Sequence, residues 1–366
     1  MSPDFVRDGT RIAIAEMLQA GITCFADTYL FPEEAARAAA SARMRAAIGL
    51  PVSDTPTAWA DSANEHFAKA ERLWDTYRSD PWVGLYFAPA DPLSVGDATL
   101  SRLRRIADEL DARVAMSLHE SAGEIRESLA RDGKRPLSRL QSLGLLRAGF
   151  TAVHMTQIDA TDLEVLSRTG VCVVACPQSN LRLGGGVCPV AQLEAQRITV
   201  GLGTDSPACT GALDILAEAR MAALLAGGDV AADGAASRGI AAGSRNAEAD
   251  GVASRGIAAG SRNAEAALRM ATLGGAMALG MGSLIGSIEP GKAADLVSFD
   301  LSALAFQPFV RPMDAVLFAA TRAQACDVWT SGRPAVTEGR MLAFDEQEIS
   351  TLARQWAERL RLEIAV

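Results

Sequence analysis

The sequence predicts an α/β fold, a (β/α)8 TIM-type barrel lacking its first strand, with a remnant small β-sandwich appendage at the C-terminus. Three observations carry this. From one end of the chain to past its middle, short β-branched or apolar runs alternate with amphipathic stretches, the pattern of βα units around a parallel sheet. Beyond Glu289-Pro290-Gly291-Lys292 the texture changes to short strands and turns. With 366 residues, 49% of them hydrophobic, the chain can bury the large core that such a barrel needs.

The chain opens on a helix, residues 3–19, with apolar Ile12, Ala15, Met17 and Leu18. A barrel of eight strands opens on a strand, so the first strand is expected to be absent or replaced by another segment. Seven strands are predicted, at 22–27, 45–50, 82–88, 113–118, 150–154, 171–176 and 198–205, with helices such as 97–110, 161–168 and 213–225. In the appendage, strands are expected at 294–299, 315–319, 328–330 and 340–344, with Ser331-Gly332-Arg333 as a turn and a closing helix at 346–362. So few strands leave exposed edges and point to a sheet without a partner sheet. The expected division is a barrel at 1–282, the appendage at 283–345 and a terminal helix at 346–366.

Residues 233–249 recur as 250–266 with a single difference, Ala235 against Val252, so this stretch is a tandem duplication. Ile240 and Ile257 are almost its only large apolar side chains, which favours an exposed insert, partly helical or disordered, over a functional arm. A formal net charge of −9, with no dense cluster of Lys or Arg, argues against a nucleic-acid partner. No apolar run is long enough to cross a bilayer and the N-terminus has no signal-peptide core, so a soluble cytoplasmic protein is expected. The six cysteines are scattered, and Cys172 and Cys176 fall in an apolar run that reads as a buried strand, where packing is favoured over chelation.

In parallel αβ barrels, reactive groups sit at the carboxyl ends of strands. Three strand ends are polar: Ser117-Leu118-His119-Glu120, His154, and Gly203-Thr204-Asp205-Ser206. A lone Asp there equally suits a helix cap, and a lone His a satisfied core residue. Together at one rim, His and carboxylates suit a hydrolytic metal site, where the ion lowers the pKa of bound water to about 7 and carboxylates shuttle the proton.

Stretches 114–124, 152–166, 175–190, 201–223, 267–279 and 285–300 resemble the methylthioadenosine and S-adenosylhomocysteine deaminases, in the chlorohydrolase and deaminase branch of the amidohydrolase superfamily. Cys176-Pro177-Gln178-Ser179-Asn180-Leu181 and the run from Ile285 to Leu296 carry the resemblance most specifically. It implies a divalent metal, usually zinc, with Asp205 and His154 at metal-site positions: Asp205 as ligand and proton acceptor, His154 orienting the attacking water. It also implies Glu120 as proton shuttle, a small purine-nucleoside substrate and, as in many relatives, a homodimer.

The departures are as informative. The family's His-x-His pair has no counterpart, since neither His66 nor His119 lies in such a pair, and Ser117 stands where a ligand His is expected. A serine hydroxyl is a weak zinc ligand. Ala90 and Ala175 replace further histidines expected at the rim, and His119 is expected to take a structural or substrate-side role. Two functions follow. One is an aminohydrolase that exchanges an exocyclic amine for oxygen, impaired or inactive as this chain. The other is a catalytically silent barrel acting as a binding or scaffolding subunit.

Overall fold

The structure, a computed structural model, describes residues 1–232, 264–308 and 311–364. All seven predicted barrel strands are present, as β1 (Cys24–Asp27), β2 (Arg45–Val52), β3 (Val83–Pro89), β4 (Arg113–Leu118), β5 (Phe150–His154), β6 (Cys172–Ala175) and β7 (Val200–Leu202). They form one parallel sheet in sequence order, a half-barrel in which β1 pairs with β2 and β7 with β6. Parallel strands in sequence order need crossovers, and helices supply them, so every carboxyl end reaches the same rim.

The two faces of the sheet differ in side-chain size. Towards the helices, Phe87, Val114, Met116, Leu118, Phe150 and Val173 are buried in the main core. A separate small cluster joins Ala47, Tyr86 and Ala88 to partly buried Ala115, Leu279 and Met281. Residues 264–281 pack on this side of the sheet, through Leu279 and Met281. Thr151 Oγ1 and Arg113 Nη2 both donate to the carbonyl of Ala278, at 2.8 and 2.9 Å. This helix passes through a π-helical turn, Met270–Gly274, where it meets β7. A Cβ on Gly274 would lie 2.1 Å from the Val200 carbonyl oxygen, so only glycine lets the two backbones approach.

The opening helix α1 (Pro3–Gln19) starts at Ser2, whose side chain accepts the Phe5 amide, followed by a proline at the first helical position. It buries Ile14 and Leu18 and meets the C-terminal helix Glu346–Ile364 through Phe5 and Trp356, edge to face at 5.1 Å.

The appendage is a four-stranded antiparallel sheet in the order β11-β10-β9-β8, from β8 (Leu296–Phe299), β9 (Ala325–Thr330), β10 (Arg333–Thr337) and β11 (Arg340–Met341). Val328, Ala335, Val336 and Met341 share a core with Ile14 and Leu18, so α1 covers this face in place of a partner sheet. Arg45, at the start of β2, pins the sheet from the other side. It faces Asp295 at 3.6 Å and donates to Ser331 Oγ at 2.8 Å, with both members of the ion pair buried.

Two expectations need correction. Residues Ala315–Ala319 form a π-helical turn and no strand: a short helix with Pro312 in its first turn leads into it, and Arg220 takes up the Leu317 carbonyl at 2.7 Å. Strand β10 was not foreseen, because Arg333 belongs to it and the turn holds only Ser331 and Gly332, both at positive φ (48° and 76°). Of the duplicated segment, residues 233–263 lie outside the described residues. Of its last three residues, which are described, Ala264 is buried and Glu265 is exposed.

Gly274→Ala is expected to lower the thermal unfolding midpoint by several degrees, through overpacking of about 1–3 kcal/mol against the β7 backbone. Differential scanning calorimetry checks this, and an unchanged midpoint contradicts the close approach.

Candidate active site

The chain leaves β4 through His119, at φ 51°, which reverses the alternation of the strand. His119 is fully buried. Its Nε2 accepts the Leu137 amide at 3.2 Å and its Nδ1 faces Asp162 Oδ2 at 3.5 Å. Burial pushes this imidazole down to about 4, so it is neutral at physiological pH and serves the packing behind the rim.

Glu120 follows, with a partly exposed side chain. The Glu124 carboxylate accepts the amides of His119 and Glu120 at 2.9 and 2.8 Å, and burial raises it above the usual carboxylate range. From the other side Gly185 presses on the Glu120 carbonyl, and a Cβ there would sit 2.5 Å from that oxygen. The backbone carrying Glu120 is therefore clamped on two sides.

His154 ends β5 at φ 76° and is buried. Its Nε2 lies 3.9 Å from Glu120 Oε2, and its Nδ1 lies 2.9 Å from the side-chain nitrogen of Asn180. Asp205, exposed just past β7 at φ 55°, accepts a 2.6 Å hydrogen bond from Ser179 Oγ. Ser179 and Asn180 are neighbours on the short helix Pro177–Arg182 that follows β6. Behind this helix, Glu218 Oε2 accepts the Gln178 amide at 3.0 Å. Glu218 is fully buried, and that burial pushes its carboxyl up to about 7.

Glu120, His154 and Asp205 thus lie at the carboxyl ends of β4, β5 and β7; Glu120 faces His154, and the helix Pro177–Arg182 contacts both His154 and Asp205. Ser117 pairs in register with Val153 and is partly exposed, whereas Met116 and Leu118 beside it are buried in the helix-side core. Ala90 is exposed past β3, but Ala175 is sealed in the main core and does not line the rim as expected, since β6 turns its alternate residues towards the helices. Cys172 and Cys176 are both buried, and burial raises both thiols. Roles for Ser179, Asn180, Glu124 and Glu218 were not foreseen. The signal available was Cys176-Pro177-Gln178-Ser179-Asn180, where a proline after an apolar strand opens a helix at the rim.

The amidohydrolase family pattern matches residues 1–334. The chain belongs to the amidohydrolase family. It is 41% identical, over 98% of its length and 75% of the relative's, to a 5-methylthioadenosine/S-adenosylhomocysteine deaminase of Teredinibacter turnerae. It is 29% identical to a 5'-deoxyadenosine deaminase of Methanopyrus kandleri, over 97% of this chain and 76% of that one. A crystal structure of an adenosine deaminase from Xanthomonas campestris with bound zinc superposes with a TM-score of 0.89 at 41% identity, over 99% of this chain and 76% of that one. An atrazine chlorohydrolase from Arthrobacter aurescens shares the fold, with a TM-score of 0.83 at 20% identity over 96% of this chain and 76% of that one. The Teredinibacter and Methanopyrus relatives of this amidohydrolase are deaminases, hydrolases of carbon–nitrogen bonds.

Zinc in such proteins needs three or four protein ligands at about 2.0–2.3 Å. Asp205 and His154 are the metal-site candidates. Asp205 Oδ2 is engaged by Ser179, His154 Nδ1 by Asn180, and Ser117 offers only a hydroxyl. Among the described residues, no group of three His, Cys, Asp or Glu side chains is placed to hold an ion. The described donor set therefore does not fit a zinc centre.

Glu218 links this rim to pH. Its folded value of about 7 lies above the ordinary 4.5, so between those two values the folded chain holds a proton that the unfolded chain releases. Its contribution to stability is therefore full at the acid end and is lost as pH rises through about 7. Glu218→Gln is expected to flatten the stability profile across that window, as read by denaturant unfolding at a series of pH values.

Proposed function

We propose that this chain is an aminohydrolase-type barrel for purine nucleosides such as methylthioadenosine and S-adenosylhomocysteine, and that as this chain it is impaired in turnover or inactive. The observation that carries the reading is the approach of Glu120 and His154 to 3.9 Å at a rim that also holds Asp205. The deaminase names of relatives up to 41% identical support the reaction class.

In the reaction, water adds to the ring carbon bearing the exocyclic amine, the carbon–nitrogen bond breaks and ammonia leaves. Glu120, partly exposed and clamped through its backbone, is the group that moves a proton to the ring nitrogen and on to the departing amine. His154 orients the incoming oxygen, and Asp205 accepts its proton. Divalent zinc, when bound in relatives, lowers the pKa of water. The impairment rests on Ser117 and on the donor set described above.

The same donor set favours a second reading, a silent barrel that binds ligand or scaffolds an active homologue. Both readings carry a cytoplasmic location, a small-molecule ligand, self-association as a homodimer, and neither nucleic acid nor membrane as partner. No helix among the described residues is long and apolar enough to cross a membrane.

Purified chain is expected to carry zinc well below one per molecule and to show no turnover in a spectrophotometric assay with methylthioadenosine or S-adenosylhomocysteine. Stoichiometric zinc with turnover would defeat the impairment. Retained binding of either nucleoside without turnover supports the nucleoside site, and absence of both supports the scaffold. Ser117→His is expected to raise zinc occupancy measurably by elemental analysis, because an imidazole replaces a weak ligand.

A further inference from the structure

The contact between Asn180 and His154 joins an amide nitrogen to an imidazole nitrogen, 2.9 Å apart and buried. An amide NH2 has only donors, so the imidazole Nδ1 facing it must accept, and the proton of the neutral ring then sits on Nε2. Turning the Asn180 amide over would place its oxygen on Nδ1 and reverse this. The structure sets the amide nitrogen, and not its oxygen, against Nδ1. Asn180 Oδ1 has no hydrogen-bond partner in the structure, so the amide as placed leaves one acceptor unsatisfied.

We infer that Asn180 is a positioning residue that holds His154 in its Nε2–H form, so that His154 presents a hydrogen-bond donor, not a lone pair, towards Glu120. The 3.9 Å gap between Nε2 and Glu120 Oε2 exceeds direct hydrogen-bond reach, about 3.2 Å. A hydroxyl or water lodged there accepts from His154 and donates to the Glu120 carboxylate. The pair thus selects a group that does both. A cation would need the Nε2 lone pair, which is free only if the proton moves to Nδ1 against the Asn180 amide. The tautomer stands on the orientation of the Asn180 amide. Its role in orienting an attacking oxygen rests on the deaminase-type reading.

The chain has three histidines, which makes the test direct. His66 Nδ1 lies 2.9 Å from the Pro51 carbonyl, which can only accept, and His119 Nε2 accepts the Leu137 amide, so both are Nδ1–H when neutral. Long-range 1H–15N spectra of the full chain with 15N-labelled histidine, at pH about 9 where imidazoles are neutral, report all three tautomers. The expected pattern is two Nδ1–H rings and one Nε2–H ring, the last disappearing in His154→Gln. Asn180→Asp replaces the donor by a carboxylate and is expected to convert His154 to Nδ1–H while His66 and His119 keep their signatures. The wild-type spectrum decides by itself: His154 as Nδ1–H overturns the inference, as does an unchanged tautomer in Asn180→Asp with the other two rings intact. Zinc content and turnover judge the deaminase reading separately, so the two fail independently.

Discussion

Two adjacent side chains on one short helix, Ser179 and Asn180, hold the far ends of two different strands. Ser179 takes the carboxylate past β7 and Asn180 the imidazole that ends β5. Because the helix stands after β6, between them, a single rigid element spans three neighbouring strand ends. Hydrogen bonds of this kind fix orientation more than they add net stability, since each replaces a bond to water. The helix is fastened in turn by Glu218, whose carboxylate receives the Gln178 amide. Three consecutive residues thus set the rim.

Backbone conformation does the remaining aiming. His119, His154 and Asp205 all lie in the left-handed region, at φ 51°, 76° and 55°. Residues of this type adopt that region at a cost of about 1–2 kcal/mol each, so the surrounding contacts must hold them there. At each strand end the unusual φ breaks the two-residue alternation. His119 is sent into the core behind the rim, while His154 comes to face Glu120.

Strand positions were legible because parallel strands covered by helices read as apolar runs bounded by turns, and β4 and β5 appear at their expected limits. The polar strand ends were legible for the same reason, since a barrel directs its chemistry to one rim. What escaped notice followed from contacts between distant residues. Arg220 reaches the Leu317 carbonyl and helps convert an apparent strand into a π-helical turn, and nothing local in 315–319 announces this. Asn180 is a surface-type residue by composition, and its importance appears only once β5 is laid beside its helix. Ala175 misleads in the opposite sense: it sits beside the polar stretch that follows β6, yet the strand turns it into the core.

The ion pair between Arg45 and Asp295 has a wider consequence for how the molecule comes apart. Both charges are shielded from water, and Asp295 also receives the Ser331 amide. If the small sheet swung away while the barrel stayed folded, a guanidinium and a carboxylate would separate, breaking the hydrogen bond to Ser331 and uncovering the apolar side of α1. Water would rehydrate the two separated charges, so the main cost of that intermediate is the uncovered apolar surface. Barrel and sheet are therefore expected to melt together, since each leaves apolar surface bare without the other.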